Sequence, residues 1–298
     1  MSVLNKIPSE KLSIIQPLWL NDQMANLFIK RDDLIHPLIS GNKWRKLKLN
    51  ILHVQQNNLN GILTFGGAYS NHLLATAMAG KLFGIETVGV VRGDELNKES
   101  NLILNYCDSL GMKLKFVSRD DYQYKDEPEY KQELLTEYSN FWIVPEGGGN
   151  YHGVIGCIDI LTETTNDFDY ICVAQGTTAT SIGILLAAPS TCKLLVCPAL
   201  KGFDSITEMK RKLNRFGFDI EFIEDKMSQV VVLSTDDLGA YGHATDELKQ
   251  FSYAFTEKSG VPIDLTYNAK ALFKLKEYIE LNGLYDKKIL YIHTGGFS

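Results

Sequence analysis

The amino-acid sequence predicts an α/β fold with two open, twisted, mainly parallel sheets flanked by helices. Short apolar runs alternate with longer helical patterns over most of the 298 residues. Repetition of strand, helix and strand implies parallel sheets joined by right-handed crossovers. Many strand-like runs are almost wholly apolar, which is typical of strands that helices cover on both faces.

The elements follow from these patterns in chain order. Runs of β-branched and aromatic residues predict strands over Leu27–Arg31, Ile62–Phe65, Thr87–Val91, Lys113–Val117, Phe141–Val144, Tyr170–Ala174, Lys193–Cys197, Ile220–Ile223, Val230–Leu233 and Ile289–His293. Helical patterns between them predict helices over Trp44–Asn57, Asn71–Phe83, Asn97–Leu110, Tyr130–Asn140, Gly153–Thr164, Ser181–Ala188, Ser205–Phe216, Thr245–Gly260 and Ala269–Leu281.

The order of the strands also predicts how the chain divides. Four strands between residues 62 and 144 can form a small sheet of their own. The remaining strands would form a larger sheet from both ends of the chain. The predicted domains are therefore a large one, residues 1–49 with 156–298, and a small α/β one, residues 50–155.

Composition excludes several classes of protein. The formal net charge of −6 gives no basic face for nucleic acid or for anionic membranes. No run approaches the ~18 apolar residues of a membrane span, and residues 1–19 do not resemble a signal peptide. The five cysteines include no C-x-x-C pair, which favours reduced thiols in a cytoplasmic protein.

Lys43 is the most informative residue, because a polar Ser-Gly-Asn turn leads into its helix. Ser40 or Asn42 is the expected N-cap. A helix start and the neighbouring cations both favour the neutral, nucleophilic form of an amine. Such a lysine suits covalent chemistry on a carbonyl cofactor. The alternative is an ordinary solvated lysine on the first turn of a helix.

The turn Gln175–Thr180 lies between a predicted strand and a predicted helix. Its hydroxyls and backbone N–H groups, at the positive end of a helix, would bind a phosphate dianion. The turn has neither the G-x-x-x-x-G-K-[ST] nor the G-x-G-x-x-G spacing, so nucleoside triphosphates and dinucleotides have no support. The alternative is an ordinary strand–helix turn that threonine caps.

Ser70, Asn71 and His72 open another helix after two glycines. Ser70 could act as nucleophile, acid or base, Asn71 could bind a phenolic oxygen, and His72 could move a proton. Alternatively, Ser70 caps the helix and His72 packs in the core. The absence of G-x-S-x-G argues against a serine hydrolase, and the absence of H-E-x-x-H argues against a metal site.

Two further features are open to two interpretations each. The glycine-rich segment Pro145–Asn150 could let backbone approach a ligand closely, or could be a flexible turn. Tyr241 and Tyr267 are candidates for proton transfer or for contact with a ring. Each could equally be a tyrosine of the core or of a pocket rim.

The order of these segments resembles a known family, the pyridoxal-phosphate enzymes of the tryptophan-synthase-β-like fold. Within it, the chain is similar to D-cysteine desulfhydrases and 1-aminocyclopropane-1-carboxylate deaminases. The resemblance covers nearly the whole chain. The matching segments are Lys30–Asp33, Ser40–Lys43 with Arg45–Leu47, Gly66-Gly67 with Ser70–His72, Pro145–Gly148 with Asn150, Gly176–Thr180, Tyr241-Gly242, Tyr267 with Lys270, and His293–Gly296.

The resemblance implies pyridoxal 5′-phosphate as cofactor, a small amino acid as substrate and a homodimer as assembly. It implies that Lys43 carries the cofactor covalently and that Asn71 binds its 3′ oxygen. The other implied cofactor contacts are Gly176, Thr177, Thr178, Ala179 and Thr180 at the phosphate, with Asn268 and Thr294. The implied substrate and catalytic groups are Ser70, Asn71, His72, Tyr241 and Tyr267, besides Lys43.

The chain departs from the family pattern at two places. Thr178-Ala179 stands where many relatives carry two glycines, and Asn268 stands where deaminases carry a glutamate beside the pyridine nitrogen. A carboxylate there keeps the ring protonated and makes it a stronger electron sink. Opening a cyclopropane needs that sink, whereas hydrosulfide is a good leaving group and needs less help.

The sequence therefore favours β-elimination from D-cysteine, which yields pyruvate, ammonia and hydrogen sulfide. Deamination of 1-aminocyclopropane-1-carboxylate to 2-oxobutanoate and ammonia, or elimination from another small D-amino acid, stays open. So does a pyridoxal-phosphate-binding protein with little catalysis, acting in homeostasis. Either Lys43 or Ser70 is the expected base for the α-proton.

Overall fold

The computed structural model describes residues 6–21, 26–162 and 167–296. These residues form two compact units. The first unit contains described residues 6–8 and 36–156, and the second contains the other described residues. The helix that begins at Asn42 thus belongs to the first unit, whereas the predicted division assigned residues 1–49 to the large domain. The predicted boundaries stay a prediction.

The strands and helices alternate along the described chain. The strands are β1 (Ile15–Pro17), β2 (Leu27–Lys30), β3 (Gly61–Gly66), β4 (Glu86–Arg92), β5 (Lys113–Val117), β6 (Phe141–Val144), β7 (Tyr170–Gln175), β8 (Lys193–Pro198), β9 (Val230–Val232) and β10 (Ile289–Ile292). The helices are α1 (Asn42–Gln56), α2 (Asn71–Phe83), α3 (Leu102–Ser109), α4 (Arg119–Tyr122), α5 (Pro128–Glu137), α6 (Tyr151–Thr162), α7 (Ala179–Ala187), α8 (Ser205–Arg215), α9 (Ile220–Met227), α10 (Asp246–Ser259) and α11 (Asn268–Asn282). In these ranges no helix is both long and apolar enough to cross a bilayer.

The first unit is built on a four-stranded parallel sheet in the order β5-β4-β3-β6, as predicted. Neighbouring residues of β3 serve opposite faces of this sheet. Ile62 packs in a cluster with residues of α1 and α2, whereas Leu63 packs in a second cluster with Tyr122 and Leu134. Coverage on both faces explains why every residue of this strand is buried.

The second unit is built on a six-stranded sheet in the order β1-β2-β10-β7-β8-β9. Only β1 runs antiparallel to its neighbour among these strands. Residues from both ends of the chain meet at its centre, as predicted, because β10 lies between β2 and β7. In parallel sheets ligands bind beyond the carboxyl ends of the strands, and here those ends lead into the turns at Gly176 and Thr294. The predicted α/β class with two mainly parallel sheets is confirmed.

One predicted strand is wrong, because residues 220–223 begin helix α9. Asp219 caps this helix, and its side chain accepts a hydrogen bond from the backbone N–H of Phe222 at 2.8 Å. Ile220 is 74 % exposed whereas Ile223 is buried. The apolar residues therefore mark one face of an amphipathic helix rather than a strand buried on both sides.

One helix start and one short strand also differ from the prediction, each for a local reason. Helix α3 begins at Leu102 rather than at Asn97, because the Asn101 side chain caps it by accepting from the N–H of Leu104 at 3.0 Å. Strand β1 was not predicted. It has three residues and ends at Pro17, so its apolar signal is too short to recognise. The predicted helical residues 163 and 164 lie outside the described ranges.

Candidate active site

Lys43 lies in the first turn of α1, where the backbone makes a sharp entry into the helix. Gly41 is the N-cap, with φ 59° and ψ −133°, and no side chain caps the helix there. The prediction that Ser40 or Asn42 caps α1 is therefore wrong. Asn42 instead accepts a hydrogen bond from Lys43 Nζ through Oδ1 at 2.7 Å. The half-buried amine is thus held at the positive end of the helix.

Ser70 is the N-cap of α2, and its Oγ accepts a hydrogen bond from the N–H of Leu73 at 3.2 Å. A Cβ atom at Gly66 would lie 2.7 Å from Ser70 Oγ. The glycine that ends β3 therefore makes room for this hydroxyl. Asn71 follows as the first residue of the helix and is half-buried.

His72 is buried and hydrogen-bonded through one ring nitrogen. The Thr64 hydroxyl donates to the carbonyl oxygen of Val144 at 2.7 Å, so it accepts from His72 Nε2, which lies 2.9 Å away. Nδ1 is thus the unprotonated nitrogen, buried and with no partner in the described part of the chain. Burial, and then the charges of Lys46 and Lys43, lower the pKa of His72 to about 3. A ring this hard to protonate is a poor proton carrier at neutral pH.

The glycine-rich segment packs against this part of the first unit. Gly147 and Gly148 both have positive φ, at 65° and 72°. A Cβ atom at Gly148 would lie 3.0 Å from Lys46 Cβ and 3.4 Å from His72 Cε1. The backbone at Gly148 therefore lies close to the side chains of Lys46 and His72.

Asn50 joins the lysine helix to the same segment, and nothing in the sequence pointed to it. Its Oδ1 accepts from Trp142 Nε1 at 2.8 Å and from Asn150 Nδ2 at 2.7 Å. Its Nδ2 donates to the carbonyl oxygen of Lys46 at 2.7 Å and to Asn150 Oδ1 at 3.2 Å. This fully buried amide fixes α1 relative to the Pro145–Asn150 segment.

In the second unit, the turn Gly176–Thr178 connects β7 to the start of α7. The first N–H groups of a helix have no partner within it and attract anions. Thr178 is the N-cap, yet its side chain makes no capping bond. Its Oγ1 is instead buried with no hydrogen-bond partner in the described ranges.

Thr178 also has φ 57° and ψ −17°, in the left-handed region. A β-branched residue rarely adopts this conformation. Threonine therefore occupies a left-handed position that glycine would adopt without strain, and the backbone at Thr178 is strained.

Lys212 contacts the turn at Thr177, although no sequence pattern had pointed to this lysine. Its Nζ donates to the carbonyl oxygen of Thr177 at 2.6 Å and lies 3.5 Å from Glu208 Oε1. The lysine comes from α8, more than thirty residues along the chain. It brings a positive charge to the turn, which favours binding of an anion there.

Tyr267 lies directly against the same turn. A Cβ atom at Gly176 would be 3.4 Å from Tyr267 Cε1, which places the ring within van der Waals reach of the turn. The hydroxyl oxygens of Tyr267 and Tyr241 are 2.9 Å apart, and the rings meet edge to face at 5.9 Å. The two predicted tyrosines are therefore hydrogen-bonded partners.

Asn268 is completely buried, and its amide is saturated. Oδ1 accepts from Tyr291 Oη at 2.8 Å and from the N–H of Thr294 at 3.2 Å. Nδ2 donates to Asp264 Oδ1 at 2.6 Å and to the carbonyl oxygen of Gly295 at 2.9 Å. Asn268 and Thr294 are thus brought together by hydrogen bonds that occupy both ends of the amide.

Two residues hold this arrangement in place. Asp264 accepts from the N–H groups of Thr266, Tyr267 and Asn268 at 2.7–3.1 Å. His293 Nδ1 accepts from the N–H of Gly295 at 3.1 Å, so Nε2 carries the proton and donates to Pro262 at 2.8 Å. His293 stood within a matched segment, whereas Asp264 had no sequence signal of its own.

Comparison with known proteins decides the family. The sequence pattern of the pyridoxal-phosphate dependent enzymes matches residues 14–295. The chain belongs to this pyridoxal-phosphate dependent family. Its cofactor is therefore pyridoxal phosphate, and the predicted cofactor and enzyme class are confirmed.

Relatives within the family carry two kinds of name. A putative 1-aminocyclopropane-1-carboxylate deaminase of Pyrococcus horikoshii is 29% identical over 92% of this chain and 85% of its own length. A bifunctional D-cysteine desulfhydrase/1-aminocyclopropane-1-carboxylate deaminase of Arabidopsis thaliana is 25% identical over 91% and 72%. The crystal structure of an ACC deaminase homologue superposes with a TM-score of 0.77 and 26% identity, covering 100% of this chain and 94% of that one.

The residues present fit pyridoxal phosphate. A buried hydroxyl without a partner, Thr178 Oγ1, lies in a turn at a helix N-terminus, beside the ammonium group of Lys212. Such a turn suits the phosphate dianion. Gly176 leaves one face of the turn open to an aromatic neighbour. The amine of Lys43 is half-buried, and an amine is the kind of group that can bond to an aldehyde.

Proposed function

We propose that the protein eliminates hydrogen sulfide from D-cysteine. The observation that carries this proposal is the neutral, saturated amide of Asn268. With both ends of its amide engaged, Asn268 cannot supply the negative charge that keeps a pyridine nitrogen protonated. The ring then has less power to stabilise a carbanion, which favours a reaction whose leaving group departs easily.

Residues near Asn268 strengthen this argument. Thr294 Oγ1 lies 3.4 Å from Asn268 Oδ1 and is a neutral hydroxyl. The Asp264 carboxylate accepts hydrogen bonds from three backbone N–H groups and from the Asn268 amide. Its charge is therefore spread over the start of α11. We propose that Asn268 and Thr294 border the pyridine nitrogen.

The remaining roles follow the family resemblance. We propose that Lys43 Nζ bonds to the aldehyde carbon of the cofactor and that Asn71 hydrogen-bonds its 3′ oxygen. Thr177, Thr178, Ala179 and Thr180, with Gly176, would bind the phosphate through their N–H groups and hydroxyls. When bound, pyridoxal phosphate withdraws electrons from the α-carbon of an attached amino acid.

The chain's own groups then handle the protons. Lys43 Nζ or Ser70 Oγ removes the α-proton, and the Cβ–S bond breaks as hydrosulfide leaves. Addition of water to the remaining fragment gives pyruvate and ammonia. Burial lowers the pKa of His72 to about 3, so His72 would contact the substrate as a neutral ring. The paired hydroxyls of Tyr241 and Tyr267 would donate to or accept from the substrate.

We also propose a cytoplasmic homodimer. All five cysteines lie in the described ranges and are buried thiols, which suits a reducing compartment. The dimer rests on the family resemblance alone. Sedimentation of the purified protein tests it directly.

The decisive experiment measures oxo acid release by the purified, cofactor-loaded protein. Pyruvate is assayed with D-cysteine, L-cysteine and D-serine, and 2-oxobutanoate with 1-aminocyclopropane-1-carboxylate. We expect D-cysteine to give the highest kcat/KM. Lys43→Ala should lose both turnover and the visible absorption of the covalently bound cofactor. A higher kcat/KM for the cyclopropane, or no turnover of any of these compounds, would overturn the proposal.

A further inference from the structure

Lys270 is a buried lysine to which neither the sequence analysis nor the proposed reaction gives a role. It lies in the first turn of α11, three residues after Tyr267, and is 1 % exposed. A positive charge at this end of a helix is unfavourable. Burial lowers the pKa of its ammonium group, against a smaller opposing effect of Asp236. Burying an apolar side chain at this position would cost less free energy than burying an ammonium group. The presence of lysine therefore points to a function for the amine.

The Lys270 ammonium group binds the backbone just before Tyr241. Nζ donates to the carbonyl oxygen of Gly239 at 2.5 Å and to that of Ala240 at 3.2 Å. The Ala240 carbonyl also accepts from the N–H of His243 at 2.9 Å. Lys270 therefore binds the carbonyl oxygens of the two consecutive residues that directly precede Tyr241.

The turn itself depends on an unusual backbone. Gly239 has φ 98°, and a Cβ atom there would lie 2.7 Å from the carbonyl oxygen of His243. Tyr241 is 50 % exposed, so packing restrains only part of its side chain. Its position relative to Tyr267 therefore depends on the backbone hydrogen bonds of this turn.

We propose that Lys270 is a positioning residue that holds the Tyr241 hydroxyl against Tyr267. One side chain of α11 thereby sets the distance between a tyrosine at the start of that helix and a tyrosine on a separate turn. The proposal rests on the proposed function, because the tyrosine pair matters only if it serves the reacting amino acid.

Lys274 provides a matched control one turn further along α11. Its Nζ binds Asp237 Oδ2 at 2.6 Å and Glu277 Oε2 at 2.8 Å. It therefore ties α11 to the same segment without contacting the Gly239 or Ala240 carbonyls in the structure. Replacing Lys274 therefore weakens the attachment of α11 to this segment without removing a hydrogen bond to the backbone that precedes Tyr241.

The test compares Lys270→Met, Lys270→Arg and Lys274→Met, each alone and combined with Tyr241→Phe. Methionine keeps the length of the side chain and removes its donors, whereas arginine keeps donors. We expect Lys270→Met to lower kcat about 10- to 100-fold, as small misplacements of catalytic groups do, with a smaller change in KM. Arginine should restore part of the loss, and Lys274→Met should leave kcat within about twofold.

The double-mutant cycle distinguishes positioning from general damage. If Lys270 acts through Tyr241, Lys270→Met should cause no further loss of kcat in the Tyr241→Phe protein. Fully additive losses would overturn the proposal, and so would an unchanged kcat for Lys270→Met alone.

A second measurement does not depend on turnover. Hydrogen exchange at the His243 amide should accelerate in Lys270→Met and stay unchanged in Lys274→Met. Unaltered exchange in Lys270→Met would contradict the proposal even if the wild-type protein is active on D-cysteine. Faster exchange with no wild-type turnover of D-cysteine would overturn the proposed substrate instead, and the kcat comparison would then use the amino acid that is turned over.

Discussion

Thr178 shows what a single departure from a glycine pattern requires. Its left-handed backbone, at φ 57°, costs about 1–2 kcal/mol for an L-residue, and its buried hydroxyl has no partner in the described ranges. Thr178→Gly relieves both and increases the conformational freedom of the unfolded chain by about 0.5–1 kcal/mol. We expect a net gain of about 0.5–1 kcal/mol in the free energy of unfolding of the cofactor-free protein, measured in urea.

Ala179→Gly is the control, because the next residue lies inside helix α7. Ala179 is the first residue of that helix and is buried. Glycine there increases the freedom of the unfolded chain without relieving strain, so the two neighbouring substitutions should have opposite signs. A loss of stability in both variants would show that Thr178 is not strained.

His72 should make the stability of the protein depend on acid. Its folded-state pKa of about 3 lies below the usual histidine value of 6.5, so the unfolded chain binds one more proton between these values. The free energy of unfolding should therefore fall on acidification, by about 1.4 kcal/mol per pH unit from this group alone. His72→Gln retains a donor for Thr64 but cannot titrate.

Urea unfolding at pH 6 and at pH 4.5 measures this contribution. The wild-type protein should lose more stability between the two values than His72→Gln does. Equal losses would mean that His72 is charged in the folded protein, contrary to its burial and its neighbouring lysines.

The helices and strands were predicted where one physical signal dominated. The strands at Phe141–Val144 and Lys113–Val117 have the predicted limits. The first is apolar along its length, and in the second lysines alternate with apolar residues over its first half, so each carries a strand pattern. The failure at Ile220–Ile223 has the opposite cause. Four residues cannot distinguish a strand from one turn of an amphipathic helix, and the deciding signal was the cap at Asp219.

The Asn50 network gives a prediction for the lysine helix as an element. Asn50→Ala removes the acceptor of Trp142 Nε1 and of Asn150 Nδ2 and leaves buried donors without partners. We expect a loss of about 2–4 kcal/mol in the free energy of unfolding. Unfolding in urea, monitored by tryptophan fluorescence, measures this loss. Gln56→Ala, at an exposed position of the same helix, should change it by no more than about 0.5 kcal/mol.

The candidate residues were predictable only as far as their role is local. The turn at Gly176–Thr180 could be recognised because strand, turn and helix are contiguous in the chain. Lys212 and Asn50 could not, because each contacts backbone or amide groups of other elements. Asp264 acts locally, on backbone N–H groups within four residues of it at the start of α11, but it was not recognised. A lysine or asparagine at such a position has no pattern that distinguishes it from a surface residue.

The assembled protein should gain stability from its cofactor. Ligand at about 100 times its Kd adds about 2.7 kcal/mol to the free energy of unfolding. For domains of about 150–250 residues, each kcal/mol of added stability raises the unfolding temperature by about 2–4 °C. The unfolding temperature of this protein should therefore rise by about 5–10 °C. Thermal unfolding of the stripped protein, with and without added pyridoxal phosphate, measures the shift.

Two controls separate the phosphate turn from Lys43. Pyridoxal without its phosphate should raise the unfolding temperature much less, since Gly176–Thr180 would have no dianion to bind. Lys43→Ala should keep part of the rise with pyridoxal phosphate, because the turn is intact. An unfolding temperature that does not respond to pyridoxal phosphate would refute the assignment of this turn.

The central place of β10 in the six-stranded sheet bears on how the protein is made. This strand is the last along the described chain, yet it joins β2 to β7. On the ribosome, β2 and β7 cannot be bridged until Ile289–Ile292 has emerged. Until then, their exposed backbone edges are open to wrong pairing. A chain truncated before Ile289 should therefore aggregate, whereas one that includes this strand should not.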